Sequence, residues 1–260
     1  MLPLIFIHIP KTAGTSFRHG LKRSLGESAV LSDYGPKADE TSTEIREILY
    51  DSKKPIDPGG VERLLTPERA LCGHFPVSKY PFAHKCHVVT FVRDPLQRAI
   101  SNFHHSAKYN GYNGNMKSFL LAKGRHNQQT RMLSGMLDRA LIGVTELYEL
   151  SLCMIFRKTG LFVPPLRKNV NFDRGNGSYG DSYLSENTLL EFYKMNDLDY
   201  QLVARVSKKL KAEFKSSFKP REMLELLILG AKYRSSEMRK LYLRYLKHSI
   251  PALGKQKNQR

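Results

Sequence analysis

Residues 4–9, Leu-Ile-Phe-Ile-His-Ile, form an apolar run broken only by His8. A run of this length without polar alternation predicts a strand buried on both faces, as in a parallel sheet. The chain then turns, and Phe17, Leu21 and Leu25 recur every four residues, predicting a helix over 17–25 capped by Thr15 or Ser16. Residues 27–68 are weakly patterned and punctuated by Pro36, Pro55, Pro58, Gly59, Gly60 and Pro67. This stretch reads as an insertion over the sheet, with short helices near 41–50 and 60–65. Two further strands are predicted, a short one over 70–75 and a strong one, His-Val-Val-Thr-Phe-Val, over 87–92.

Asp94 and Pro95 follow the strong strand directly. A short carboxylate can cap a helix and proline suits its first position, so a helix is expected to run from there to about His105. Helices are predicted over 117–123, 127–140 and 145–158, with 141–144 a short strand between the last two. The composition of 164–181, rich in Pro, Asn, Gly and Arg, predicts a loop. Ser185 opens another amphipathic helix, and from 197 the chain reads as helical almost to its end. Strands separated by helices imply an α/β fold: one domain over 1–260, with a P-loop-like parallel sheet flanked by helices and a basic helical extension over 205–260. In such folds ligands sit at the carboxyl ends of the strands.

Composition narrows the partners without naming one. The 260 residues carry 42 Lys and Arg against 24 Asp and Glu, a formal charge of +18, which draws polyanions toward the surface. A mean hydropathy of −0.42 excludes a polytopic membrane protein, and the run over 2–9 is far short of the ~20 residues of a membrane-spanning helix. Three cysteines, Cys72, Cys86 and Cys153, show no paired or metal-ligand spacing, so neither a disulfide framework nor a zinc site is expected and a reducing compartment is favoured. With no leader segment preceding the first strand, the expected location is cytoplasmic, or the Golgi lumen if a longer protein has been truncated.

Two strand ends carry the candidate chemistry. After the first strand come Pro10-Lys11-Thr12-Ala13-Gly14-Thr15-Ser16. Small residues let backbone N–H groups approach a phosphate, the helix N-terminus favours negative charge, and Lys11 adds a point charge. In the ATP-binding loop G-x-x-x-x-G-K-[ST] the lysine follows the last glycine. Here Lys11 precedes Gly14, which argues against an ordinary nucleotide triphosphatase. At the second strand end, Arg93 projects toward the same crevice and Ser101 lies two turns into the following helix, a fork and a hydroxyl suited to a second phosphate.

The segments I-P-K-T-A-G-T-S and F-V-R-D-P-L-Q-R-A-I-S-N-F together resemble the two donor-binding motifs of the sulfotransferases. The resemblance extends to the carbohydrate branch that includes the heparan sulfate 2-O- and 6-O-sulfotransferases, through C-G-H-F at 72–75 and N-Q-Q-T-R-M-L at 127–133. It implies the donor 3′-phosphoadenosine 5′-phosphosulfate and no metal. Lys11, Thr12, Ala13, Gly14, Thr15 and Ser16 would cradle the 5′-phosphosulfate, Arg93 and Ser101 would bind the 3′-phosphate, and Arg167, Lys168 and Asn169 would add donor contacts. His74 matches the family's catalytic base and would contact the acceptor, and Lys11 would stabilise the leaving phosphate. Arg131 is the candidate for the acceptor side. The expected partner is a hydroxyl acceptor, a saccharide or glycoconjugate and in some cases an anionic one, with no specific nucleic acid. Two alternatives make different predictions. A kinase-like phosphotransferase would depend on ATP and Mg²⁺, and a noncatalytic polyanion-binding protein would use the basic C-terminal face and survive loss of Lys11 and His74.

Overall fold

The computed structural model describes residues 2–53, 55–166 and 184–217, together with Ile228. Five strands, β1 (Leu4–Ile7), β2 (Val30–Asp33), β3 (Ala70–Gly73), β4 (His87–Val92) and β5 (Leu141–Val144), form one sheet in the order β2-β3-β1-β4-β5. All four pairings are parallel, with Ile7 level with Gly73 on one side and Thr90 on the other. The chain leaves β1 toward β2 on one side, whereas β4 leads to β5 on the other. The crevice beyond the carboxyl ends of β1 and β4 is therefore the switch point at which doubly wound sheets bind ligands.

The apolar run of β1 is buried on both faces, as its lack of alternation requires. Leu4 and Phe6 pack with Phe17 and Leu21 of α1 (Gly14–Leu25) and with Tyr148, Leu152 and Ile155 of α7 (Tyr148–Thr159). Ile5, Ile7 and Ile9 face the opposite layer. There they meet Ile45 and Leu49 of α2 (Thr43–Leu49), Val61 of α3 (Pro58–Leu64), and Leu202, Val206 and Leu210 of α9 (Asp197–Ser217). A third apolar cluster joins Leu96, Ala99 and Ile100 of α4 (Pro95–Tyr109) to Leu120 of α5 (Met116–Leu120) and Phe192 of α8 (Glu186–Met195). Two sheet faces and this satellite give a buried frame from which the strand-end loops project.

Several element boundaries differ from the sequence expectation. Val30–Asp33, within the stretch read as an insertion, is the edge strand of the sheet. Its four residues lack an apolar run, since Ser32 and Asp33 are polar: the Ser32 N–H donates to the Ser42 hydroxyl, and the buried Asp33 carboxylate accepts from Tyr50. The helix expected over 127–140 is only α6 (Gln128–Met132), after which the chain winds through turns. Asp94 caps α4, its Oδ1 accepting from the Gln97 N–H at 2.9 Å, with Pro95 in the first turn. Ser185 caps α8 by accepting from the Thr188 N–H. Among the described residues no helix is long and apolar enough to cross a membrane.

Candidate active site

The loop after β1 has an unusual backbone. Lys11 and Ala13 both take left-handed φ, 70° and 66°, and Thr12 between them does not. Alternating handedness along consecutive residues turns successive N–H groups toward one concave side, forming a nest for an anion. Each left-handed non-glycine residue costs roughly 1–2 kcal/mol, so the conformation persists only because its surroundings impose it. Thr12 supplies part of that constraint: it is fully buried, and its hydroxyl donates to the Ile9 carbonyl at 2.9 Å. Its side chain thus fastens the turn to the end of β1.

Neither Thr15 nor Ser16 caps α1. The helix begins at Gly14 with left-handed Ala13 as its cap residue, and no side-chain hydrogen bond closes its first turn. The nest turns the chain into the helix earlier than the apolar periodicity indicates. Gly14 is required by packing, because a Cβ there would stand 1.8 Å from Cδ2 of His8.

The second strand end meets this loop directly. A guanidinium nitrogen of Arg93 donates to the Lys11 carbonyl at 3.2 Å, and Nε lies 3.9 Å from Glu146. Arg93 is itself held by its backbone: its N–H donates to Oε1 of Gln129 at 2.8 Å, and its carbonyl accepts from Nε2 of Gln129 at 2.9 Å. Gln129 is fully buried and its own N–H donates to Asp199, which also accepts from the N–H and hydroxyl of Thr130. Ser101 is half-buried on the second turn of α4. Burial first, and then the charge of Lys11, lower the pKa of His105, four residues further along α4. Burial and the neighbouring Arg93 charge likewise lower the Lys11 ammonium. Lys11 and Arg93 therefore form a positive pair that favours an anion between or above them.

His74 lies just past the end of β3. Its N–H donates to the Asp33 carbonyl at 3.2 Å, and its Nδ1 sits 2.5 Å from the His8 carbonyl oxygen. A carbonyl only accepts, so Nδ1 carries the proton and Nε2 holds the lone pair of the neutral ring. His74 reaches solvent, yet one side of its ring is covered, packing 4.4 Å from the ring of His8 and 4.7 Å from that of Tyr34. Burial lowers its pKa from the ordinary value, partly offset by the His8 carbonyl, while Arg18 lowers it further. His8, buried in the strand end, is held down to about 2 by burial, then by His74, Arg18 and Lys11. It is neutral and structural at any physiological pH.

The structure thus brings Lys11, Thr12, Ala13, Gly14, Thr15, Ser16, Arg93 and His74 to adjacent strand ends. Arg131 is exposed, and its guanidinium donates to the Gly124 carbonyl. Arg167, Lys168 and Asn169, and the basic extension beyond residue 217 apart from Ile228, lie outside the described residues. Among the described residues no three His, Cys, Asp or Glu side chains converge as metal ligands.

The sequence reading missed Gln129, which clamps Arg93, and a polar network at the β2 end. Asp33 is buried and accepts from Lys79 Nζ at 2.5 Å, Tyr50 at 2.6 Å and Tyr80 at 2.6 Å. Burial alone would raise its carboxyl, but these donors outweigh it and the pKa is lowered. Lys79, six residues after Gly73 across a turn, gives no local signal of a partner 46 positions earlier.

Fold and site together define an α/β protein with a left-handed, lysine-bearing turn at the end of its first strand and a histidine at the end of the neighbouring strand. No protein-family model matches the chain, and no curated protein matches its sequence. Solved structures do match in shape. A sulfotransferase from Alicyclobacillus acidocaldarius aligns at 13% identity over 79% of this chain and 96% of its own, with a TM-score of 0.44. A mouse sulfotransferase complexed with PAP aligns at 16% identity over 76% of this chain and 87% of its own, also at 0.44. Retinol dehydratase in complex with androsterone and inactive cofactor PAP aligns at 15% identity over 99% of this chain and 82% of its own, at 0.35. Likeness at this level leaves the functional reading to the site itself.

Proposed function

We propose that the protein is a sulfotransferase that moves the sulfuryl group of 3′-phosphoadenosine 5′-phosphosulfate to an acceptor hydroxyl, most naturally that of a saccharide. The observation that carries this reading is the contact between the Lys11 nest and Arg93 at the β1/β4 switch point. It supplies two anion-binding features, as a donor with phosphate groups at two positions demands. The saccharide acceptor is supported by the resemblance of C-G-H-F at 72–75 and N-Q-Q-T-R-M-L at 127–133 to the carbohydrate branch and by the +18 charge, which favours an acidic glycan.

In the reaction an acceptor oxygen bonds to sulfur as the bond from sulfur to the 5′-phosphate oxygen breaks on the opposite side. The hydroxyl proton passes to Nε2 of His74. The negative charge developing on the departing phosphate faces the Lys11 ammonium and the loop amides. Catalysis by such positioning and charge stabilisation requires no covalent protein intermediate.

Calorimetry with 3′-phosphoadenosine 5′-phosphate tests the donor assignment. Binding by the wild-type protein, and its loss in Lys11→Ala/Arg93→Ala, is expected. No binding by the wild type, or equal binding by the double variant, would overturn it. Transfer assays over an acceptor array with labelled donor then test the saccharide reading separately.

A further inference from the structure

Tyr34 follows the edge strand and reaches across two others. Its ring stands edge-on to His74, with centroids 4.7 Å apart and an interplanar angle of 89°. Its hydroxyl is 3.0 Å from Nδ1 of His8, the residue whose carbonyl fixes the His74 tautomer. Its backbone is tied in turn, since the Tyr34 N–H donates to Thr41 Oγ1 at 3.0 Å. A side chain held at both ends, touching one imidazole with its face edge and the other with its hydroxyl, restricts both rings.

We propose that Tyr34 is a positioning residue for His74: its ring walls the imidazole so that Nε2 is the atom presented to an acceptor, and its hydroxyl anchors His8 behind it. The proposal rests on the reading of His74 as base. Neither Thr41 nor Tyr34 belongs to the motifs that identify the donor site, so it extends the site onto the β2 edge.

The groups facing His74 are few enough to predict the sign of a change. They are His8 at the end of β1, Tyr34 after β2, Arg18 on α1 and Glu40 beyond Tyr34. Tyr34 itself is faced by Arg18, whose guanidinium carbon lies 5.0 Å from the ring centroid, by Cys72 of β3 and by Glu40. His8 is additionally faced by Lys11. Removing the tyrosine ring admits water to the imidazole without deleting any of these charges, so the loss of desolvation dominates and His74 becomes easier to protonate.

Histidine-labelled protein followed by NMR titration reads this without any assumption about the reaction, and kcat against pH reads it within the reaction. In Tyr34→Ala the His74 pKa is expected to rise by about 0.5 or more, with the acid limb of kcat moving by the same amount. The KM for donor and binding of 3′-phosphoadenosine 5′-phosphate should stay within about twofold, because the tyrosine side chain contacts His8, His74 and Arg18 rather than the residues assigned to the donor. Tyr34→Phe keeps the ring wall and is expected to hold the limb in place while changing the His8 ring ¹⁵N shifts and lowering kcat. The proposal is overturned if His74 titrates in Tyr34→Ala as in the wild type. Should Tyr34→Ala not fold, it is overturned if Tyr34→Phe leaves both the His8 shifts and kcat unchanged. Failure of donor binding by the wild type would sink the sulfotransferase reading alone, because the titration tests the tyrosine independently.

Discussion

The His8 carbonyl accepts a hydrogen bond from Nδ1 of His74 at 2.5 Å, while the two imidazoles lie 4.4 Å apart. One strand-end histidine thereby sets the tautomer of its neighbour. The same residue stays neutral itself and spans the gap between the loop after β1, at Gly14, and the candidate base.

A base with this tautomer and a lowered pKa gives a defined pH profile. Transfer should rise with pH as His74 loses its proton, through an apparent value below the ordinary 6.5, because burial disfavours the imidazolium. His74→Ala should cost about 10²–10⁴-fold in kcat at saturating donor, the usual worth of a positioned general base. Binding of 3′-phosphoadenosine 5′-phosphate should be nearly unchanged. Undiminished turnover at pH 7 would reject the base role.

Gly14 and His8 are predicted to be coupled through steric contact. A methyl at Gly14 would stand 1.8 Å from the His8 ring, and both residues are buried, so one of them must shift to admit it. Gly14→Ala should destabilise by about 1–3 kcal/mol, the range for overpacking a buried site, and weaken donor binding by distorting the nest. Gly14→Ala combined with His8→Ala should recover part of that stability, giving a non-additive cycle in urea unfolding. Strict additivity would show that the contact relaxes by another route.

The strands most legible in the sequence are those whose burial is hydrophobic. β1 is a continuous apolar run and β4 is apolar apart from His87 and Thr90, and both appear within the expected stretches, as do the Asp94 and Ser185 caps, which depend on a single local side chain. β2 was hidden because half of it is Ser32 and Asp33, buried by partners as distant as Tyr80. The placement of Lys11, Arg93 and His74 at strand ends was legible because each falls at or just past the end of a predicted strand, whereas the roles expected of them remain the proposal above. Gln129 was not, since its function depends on reaching the Arg93 backbone from 36 residues away. The left-handed φ of Lys11 and Ala13 was equally silent, for neither residue type advertises that conformation.

The Gln129 clamp makes a prediction distinct from that for Arg93 itself. Gln129→Ala retains the guanidinium but leaves the Arg93 N–H and carbonyl without their side-chain partner. Such an unmatched group costs about 1–3 kcal/mol where water cannot replace the bond. Stability should fall by that order, and affinity for 3′-phosphoadenosine 5′-phosphate should fall with it as Arg93 loses its anchor. Gln129→Glu preserves the acceptor for the Arg93 N–H but cannot donate to the carbonyl when ionised, and it should be intermediate or worse. Wild-type affinity in Gln129→Ala would show that contacts of the guanidinium itself, such as those to the Lys11 carbonyl and Glu146, suffice to fix the arginine.

Acid should unfold the protein in two stages with different residues responsible. His8 has a folded pKa of about 2 against an ordinary 6.5, so the unfolded chain binds the extra proton between those values. Stability therefore falls as pH drops below ~6.5, by at most about 1.4 kcal/mol per pH unit for one proton, and His74 adds a contribution of the same sign. Asp33 acts lower. Its carboxyl is held below 3.8, so its contribution is intact above that value and is lost as pH falls through the folded pKa. In urea titrations, His8→Asn should flatten the decline between pH 6 and 4, whereas Asp33→Asn should instead lower stability at pH 7 and flatten only the decline below ~3.8. The cost at pH 7 should be about 2–4 kcal/mol, less than the ~3–5 of breaking a fully buried pair, because Lys79 keeps 29% of its side-chain surface in solvent. A wild-type slope between pH 6 and 4 that persists in His8→Asn would assign the first stage to other groups.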